Sequence, residues 1–218
     1  LCSRPDRHLG ERRRPGECRK AGRGALPVDE QGDLHTGLEV AGEIGRYRRR
    51  QHLESLLVAK PGDHLIAATD GNLVSNYVPF ALDTLPECRD AESNDEPSQA
   101  QKVTLPVIVN GRSDRPGDWD VFEVEGKAGE TIVAEVHARR LGSPFDSFVK
   151  VTGPDGKVIA LNDDHYDAAS GFNTDHADSY LMAKLPADGK YFIHLGDTRR
   201  HAGKEYAYRL RISQPRPN

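Results

Sequence analysis

The sequence predicts an all-β protein in which an antiparallel two-sheet β-sandwich, similar to a jelly roll, occupies most of the chain. Three observations support this fold class. The 218 residues include 21 glycines and 14 prolines, a composition typical of many turns and short elements. From position 102 onward, segments with a two-residue apolar period recur at spacings of about ten residues. No segment shows a helical apolar period over the length of an ordinary helix.

Residues 1–52 form a basic segment without a regular apolar pattern. They hold 12 Lys and Arg against 8 Asp and Glu, concentrated in ERRRPGECRKAGRG and RYRRR. A chain that cannot bury enough apolar surface does not offset the entropy lost on ordering. We therefore predict that this segment is poorly structured and is not a domain.

The rest of the chain has a different charge balance, with a formal net charge of −8. Nucleic-acid binding depends on a clustered basic surface that displaces counterions, so we expect no nucleic-acid partner. No apolar run reaches the roughly 18 residues that a membrane-spanning helix needs. We therefore expect no membrane insertion.

Residues 53–84 predict a β-hairpin. Apolar runs at 65–68 and 74–80 flank the turn sequence Asp70-Gly71-Asn72. Two strands cannot bury a core without further support. The hairpin is therefore either the remnant of a preceding immunoglobulin-like domain or an addition to the sandwich that follows.

Residues 85–214 predict the sandwich itself, with a short tail at 215–218. In ETIVAEVHAR, Ile132, Ala134 and Val136 fall on one face, while Glu135 and His137 fall on the other. EYAYRLRIS alternates in the same way near the end of the chain. The strands expected between or beside these two are VTLPVIVNG, DVFEVEG, SFVKVTG, KVIALN, SYLMAKL and KYFIHLG. About eight strands without a helix predict two packed sheets.

A first acidic cluster is predicted from AESNDEP and GDWDVF. Positions 118 and 120 of a strand project to the same side, so their carboxylates can converge on one ion. A linker folding back would add the oxygens of the first motif. Hard oxygen donors in this number suit Ca²⁺, which takes six to eight of them. The predicted calcium ligands are Glu92, Asn94, Asp95, Asp118 and Asp120.

A second acidic cluster lies in ALNDDHYDAASGFNTDHADS, residues 160–179. Its carboxylates would repel one another without a cation or an arginine partner. The alternative is turn chemistry, in which side-chain oxygens accept hydrogen bonds from nearby backbone N–H groups. The residues proposed for a second metal site are Asp146, Asp163, Asp164 and Asp178.

Two further functions stay open as alternatives. His165, His176 and Asp178 would be the metal ligands of a small hydrolase, although the chain contains no HExxH motif and no GxSxG nucleophile motif. Trp119, between two aspartates, would be the contact residue of a carbohydrate- or matrix-binding module, although a lone tryptophan at a strand start more often packs in a core. Because neither catalytic motif is present, we expect a non-catalytic function.

Five segments, taken in order, resemble the bacterial pre-peptidase C-terminal domain over residues 87–214. They are ESNDEPSQAQ, GDWDVFEVEGKAGE, SPFDSFVKVTGPDGKVIALNDD, DSYLMAKLPADGKYFIHLGD and EYAYRLRIS. The resemblance lies in the order of the motifs: Glu-x-Asn-Asp, an Asp-x-Asp strand start, an Asp-Gly hairpin followed by Asn-Asp-Asp, and an ADGKY turn. The long acidic loop is similar to versions in large exported proteins of planctomycete-like bacteria.

The resemblance implies a jelly-roll sandwich that accompanies secreted or surface enzymes, peptidases above all, without holding their active sites. Collagen-binding relatives in collagenases bind Ca²⁺ through residues that correspond to Glu92, Asn94, Asp95, Asp118 and Asp120. Ser93 and Glu96 stand where the family commonly has Pro and Thr, and the collagen-contacting aromatics have no match here. The resemblance therefore implies calcium and does not imply collagen binding.

These observations predict a calcium-stabilised accessory module of an exported bacterial protein, located outside the cell, on its surface or in the periplasm. Its expected partners are the other domains of the parent protein, and an extracellular protein or polysaccharide.

Overall fold

The computed structural model describes residues 60–68, 73–166 and 175–215. These residues form two five-stranded sheets, an N-terminal two-stranded hairpin and one further pair of two-residue strands, which confirms the predicted all-β sandwich. The basic segment 1–52 and the turn at Asp70-Gly71-Asn72 lie outside the described residues. Within the described ranges, no helix is long and apolar enough to cross a membrane.

The described residues contain fourteen strands and one short 3-10 helix, Arg139–Leu141. In chain order the strands are β1 (Gly62–Ile66), β2 (Val78–Leu82), β3 (Glu87–Arg89), β4 (Gln101–Lys102), β5 (Val107–Arg112), β6 (Trp119–Gly126), β7 (Thr131–His137), β8 (Ser147–Thr152), β9 (Val158–Asn162), β10 (His165–Tyr166), β11 (Asp175–His176), β12 (Tyr180–Lys184), β13 (Gly189–Asp197) and β14 (Ala207–Ser213). All eight segments predicted from the alternating pattern contain strands.

The sandwich consists of a first sheet, in the order β12-β7-β14-β5-β3, and a second sheet, in the order β4-β6-β13-β8-β9. Inward side chains of both sheets form one apolar core. Val109, Val136 and Leu210 come from the first sheet, and Phe122 and Ile193 come from the second. Burial of this apolar surface is the main stabilising contribution to the sandwich.

Two short edge strands correct the expectation of a purely antiparallel sandwich. β3 pairs in parallel with β5 in the first sheet, and β4 pairs in parallel with β6 in the second. A hairpin turn forces two strands to be antiparallel, but a connection that crosses from one sheet to the other does not. Residues 90–100, here called the crossing segment, make such a connection between β3 and β4.

The hairpin pairs β1 with β2 in an antiparallel register in which His64 faces Phe80. β2 contacts the 3-10 helix of the sandwich. Leu65 and Tyr77 are nevertheless largely exposed. The hairpin therefore contacts the sandwich through β2 and leaves apolar side chains on its own surface.

The central strand of the first sheet is buried on both faces. Arg209 and Arg211 occupy its outward side, yet they are only 6% and 7% exposed. Arg209 Nη2 lies 2.8 Å from Glu87 Oε1, and Arg211 Nη1 lies 2.9 Å from Glu135 Oε2. These bonds pair the charges of the buried guanidinium groups and link β14 to β3 and β7, because a buried charge is tolerated only when it is paired.

Candidate metal centre

The crossing segment is held against the sandwich by its backbone. The N–H of Val121 in β6 donates to the carbonyl of Asn94 at 3.0 Å. The side chain of Gln101 accepts from the N–H of Ala91 and donates to the carbonyl of Arg89, both at 2.9 Å. These bonds place the acidic residues of the crossing segment beside the start of β6.

Three carboxylates meet at this place, and we call them the inner triad: Asp90, Glu92 and Asp120. Ligand oxygens from the three side chains all lie within 4.8 Å of one another. Asp120 is on the inward side of β6 and is only 2% exposed, whereas Glu92 reaches the surface. Of the Asp, Glu, His and Cys side chains that the structure describes, these form the one group close enough to hold an ion.

Two further carboxylates, the outer pair, lie next to the inner triad. Asp95 accepts a hydrogen bond from the guanidinium of Arg115. Asp118 accepts the N–H of Asp114 through Oδ2 at 2.7 Å, and its Oδ1 lies 3.5 Å from Arg115 Nη2. The structure therefore places Glu92 and Asp120 of the predicted ligands in the inner triad, and Asp95 and Asp118 beside Arg115.

Two buried polar atoms of this cluster have no hydrogen-bond partner among the described residues. They are Oδ1 of Asn94 and Oδ1 of Asp118. Asn94 is fully buried, and its amide nitrogen donates to Asp90 Oδ1 at 2.9 Å, which leaves its oxygen unpaired. A buried acceptor without a donor costs about 1–3 kcal/mol, and the carboxylate triad beside these oxygens could hold a cation.

Burial and mutual repulsion raise the pKa values of these carboxyl groups. Burial first, with the charge of Glu92 added, raises the pKa of Asp90 to about 7, although the hydrogen bond from Asn94 opposes the shift. Burial and the charge of Asp90 raise the pKa of Asp120 well above its usual range. Burial also raises the pKa of Glu92 and of Asp118. A divalent cation would oppose both effects on the pKa values, because it favours the charged form of every carboxylate near it.

Asp90 and Tyr208 are members of the cluster that sequence reasoning missed. Asp90, Glu92 and Asn94 are oxygen-bearing side chains at every second position. This spacing was a signal that Asp90 belongs to the cluster. Tyr208 comes from β14, far along the chain, and no local pattern indicates it. A Cβ at Gly111 would collide with the Tyr208 hydroxyl and lie 2.7 Å from Asp90 Cβ. Glycine at this position therefore leaves room for both side chains.

The residues proposed for a second metal site are not gathered by the structure. Asp178 is buried, and its carboxylate accepts hydrogen bonds from the backbone N–H groups of Ala138, Arg139 and Arg140. It also accepts from Arg140 Nε at 2.8 Å. Its oxygens therefore already have donors in the loop that carries the 3-10 helix.

The other three predicted residues of that site lie in different surroundings. Asp146 Oδ2 lies 3.4 Å from Arg199 Nε. Asp163 and Asp164 are exposed after β9. No three of the four carboxylates converge, although all four lie in the described part of the chain. The arrangement is closer to the turn chemistry that was the alternative.

The residues of the two other functional alternatives have the following positions. His165 pairs with His176 across β10 and β11, and its ring packs against Tyr180 with 4.9 Å between ring centroids. Trp119 packs edge-on against Phe148, and Lys150 Nζ lies 5.4 Å from the centre of the indole. Gly196 lies beneath the same indole. Packing of Trp119 against three neighbours favours the structural role that a lone tryptophan usually has.

The chain is similar to part of a curated protein. No family model matches the chain. The chain is 35% identical over 140 residues to a probable subtilase-type serine protease of Deinococcus radiodurans. The match covers 59% of this chain and 18% of that protein, so the chain spans less than a fifth of the relative's length.

Two solved structures are similar to part of the chain. One is the pre-peptidase C-terminal domain of collagenase from Bacillus anthracis. The match covers 55% of this chain and 100% of that domain, with 16% identity and a TM-score of 0.38. PliG of Aeromonas hydrophila, a periplasmic lysozyme inhibitor of g-type lysozyme, covers 47% of this chain and 81% of its own, with 22% identity and a TM-score of 0.33. TM-scores this low give neither structure any bearing on function.

Proposed function

We propose that the chain is a non-catalytic, calcium-stabilised β-sandwich module of an exported peptidase, of the pre-peptidase C-terminal kind. The observation that carries the proposal is the convergence of the inner triad with buried oxygens of Asn94 and Asp118 that have no hydrogen-bond donor among the described residues. The association with a peptidase is supported by the similarity to part of a subtilase-type serine protease.

Calcium is the ion that the donor set favours. Every ligand candidate in the cluster is a carboxylate, amide or phenol oxygen, and none is a thiolate or an imidazole. Such hard donors suit Ca²⁺, whereas zinc selects nitrogen and sulfur ligands. Ca²⁺ also accepts irregular geometry with six to eight oxygens, so a cluster on a connecting segment and a strand start is suitable for it.

The ion would act as a structural link. Asp90 and Glu92 belong to the crossing segment, whereas Asp120 belongs to β6 of the second sheet. An ion held by all three would therefore join the connection between the sheets to one of the sheets. The chemistry it supplies is charge neutralisation, which replaces repulsion among the carboxylates by attraction.

The role of such a module in the parent protein would be attachment, adhesion or presentation of substrate to a neighbouring catalytic domain. Its partners would be the other domains of that protein and an extracellular protein or polysaccharide. It would act outside the cell, at the cell surface or in the periplasm. Calcium is abundant in extracellular environments, where sites of modest affinity are filled.

Thermal unfolding of the full chain with and without calcium tests this proposal. An ion that binds only the folded state at a hundredfold excess over Kd stabilises it by about 2.7 kcal/mol. For a domain of this size we expect the Tm to rise by about 5–10 °C on addition of millimolar calcium after chelation.

Two variants serve as controls for that measurement. Asp120→Asn should fold and lose most of the calcium response, whereas Asp163→Ala should keep it. A wild-type Tm that does not respond to calcium would remove the metal assignment. An equal response in wild type and Asp120→Asn would show that the ion binds elsewhere.

A further inference from the structure

We infer that Arg115 is a built-in counter-cation of the metal centre, which occupies the outer pair and limits how strongly, and how many, divalent cations bind. This inference rests on the proposed calcium site. It concerns the regulation of that site by a residue of the chain itself.

The position of Arg115 supports the inference. Its guanidinium donates to Asp95 Oδ1, and the same Nη2 lies 3.5 Å from Asp118 Oδ1. The Asp118 side chain is only 1% exposed, and its Oδ1 has no hydrogen-bond partner in the described part of the chain. One nitrogen therefore lies between two carboxylate oxygens in the place where a second cation would bridge them.

Glu92 connects the outer pair to the inner triad. Its carboxylate interacts electrostatically with Asp118, Asp95 and Arg115, besides belonging to the triad. Asp120 is in turn influenced by the charges of Asp90 and Asp118. The five carboxylates thus form one electrostatic unit, in which Arg115 neutralises one end and leaves the inner triad for an ion.

The sign of the coupling follows from Coulomb's law. A guanidinium and a divalent cation a few ångströms apart repel each other, so each lowers the affinity of the cluster for the other. Removal of the guanidinium restores Asp95 and Asp118 as oxygen ligands. We therefore expect calcium to bind about tenfold more tightly without Arg115, or to bind with two ions per chain instead of one.

A merely structural role for this pair makes a different prediction. The Arg115 side chain is 56% exposed, and an exposed salt bridge contributes little to stability by itself. Loss of such a pair would change the Tm slightly and equally with and without calcium. A counter-cation role requires instead that calcium compensate for the loss of the guanidinium.

The experiment is a calorimetric calcium titration of the full chain, together with Tm measurements in chelator and in calcium. Arg115→Gln removes the charge and keeps a polar side chain. Arg112→Gln is the matched control. Arg112 lies three residues before Arg115 and forms a similar, partly exposed ion pair with Asp114. We expect Arg115→Gln to have a lower Tm than wild type in chelator and an equal or higher Tm in calcium. In the titration it should bind calcium more tightly than wild type or bind a second ion. Arg112→Gln should show no change in calcium binding.

Each outcome of the titration separates this inference from the proposed function. If wild type binds calcium and Arg115→Gln binds it with the same affinity and stoichiometry, or more weakly, the inference is wrong and the proposed function stands. If only Arg115→Gln binds calcium, Arg115 is the resident cation and the calcium-stabilised state proposed for wild type is wrong. If neither protein binds, both are wrong.

Discussion

Asp90 shows how the position of one residue determines the behaviour of the cluster. Its carboxyl group lies between the amide of Asn94 and the other two members of the inner triad. Burial raises its pKa to about 7, so without an ion the group changes its protonation near neutral pH. Proton and cation therefore compete for the same oxygens, since a ligand carboxylate must be ionised.

The pH dependence of stability is the first prediction at the residue scale. A carboxyl group whose pKa is raised on folding stabilises the protein fully below its unfolded value, and this contribution is lost as the pH rises through the folded value. In chelator, ionisation of Asp90 should therefore lower the stability of the wild type as the pH rises from 5 to 8. We expect the Tm of Asp90→Asn, relative to wild type, to increase over this range.

The comparison with Asp90→Asn is needed because another buried group titrates in the opposite sense. Burial and the charge of Lys150 lower the pKa of His194 to about 4. A lowered histidine pKa makes the protein lose stability as the pH falls from about 6.5 toward 4. The effect of His194 is common to both proteins and cancels in the difference. A difference between them that stays flat from pH 5 to 8 would contradict the assignment of Asp90.

At the scale of elements, the 3-10 helix at Arg139–Leu141 depends on a single carboxylate. Asp178 accepts hydrogen bonds from three consecutive backbone N–H groups at the start of this element, beginning with Ala138. A carboxylate that accepts the free N–H groups of a helical turn acts like a helix N-cap. This one also pairs with Arg140 while it is buried.

Replacement of Asp178 is therefore predicted to lower the stability of the protein and to leave calcium binding unchanged. Asp178→Ala leaves buried N–H groups without acceptors, and we expect the free energy of unfolding to fall by roughly 2–4 kcal/mol. Asp163→Ala, an exposed position of the same loop, should change it by less than about 0.5 kcal/mol. Chemical denaturation measures both values. A stable Asp178→Ala variant with lost calcium binding would instead support the second metal site.

The same scale shows what the sequence could predict. Period-two alternation is a local signal, so the long strands such as β6, β7 and β14 were predicted from it. β3 and β4 have only three and two residues, too few for a pattern, and their parallel pairing depends on a connection that crosses between sheets. The alternation in EYAYRLRIS does not reveal that Arg209 and Arg211 are buried, because their partners come from β3 and β7.

The candidate site was predictable only in part, for a similar reason. Glu92 and Asp120 were identified from local motifs, whereas Tyr208 reaches the cluster through the sheet pairing of β14. Arg115 contacts Asp95, which lies twenty positions earlier in the chain. The spacing of these residues in the sequence does not reveal the contact. Side chains that strand pairing brings together from distant parts of the chain can be assigned to the site only once the fold is known.

At the scale of the whole molecule, the chain combines a well-packed sandwich with an acidic cluster at the connection between its sheets. The apolar core supplies the bulk of the stability, and the cluster opposes it while its carboxylates remain unneutralised. A calcium ion would convert this opposition into a link between the crossing segment and β6. The stability of the protein would then depend on the calcium concentration around it.

The most direct test of this account is a crystal structure of the chain grown in calcium. We predict a calcium ion with oxygen ligands from Asp90, Glu92 and Asp120 at about 2.3–2.6 Å, within a sandwich whose two sheets keep the strand order described above. A structure at saturating calcium in which these carboxylates share protons with one another, with no ion among them, would contradict it.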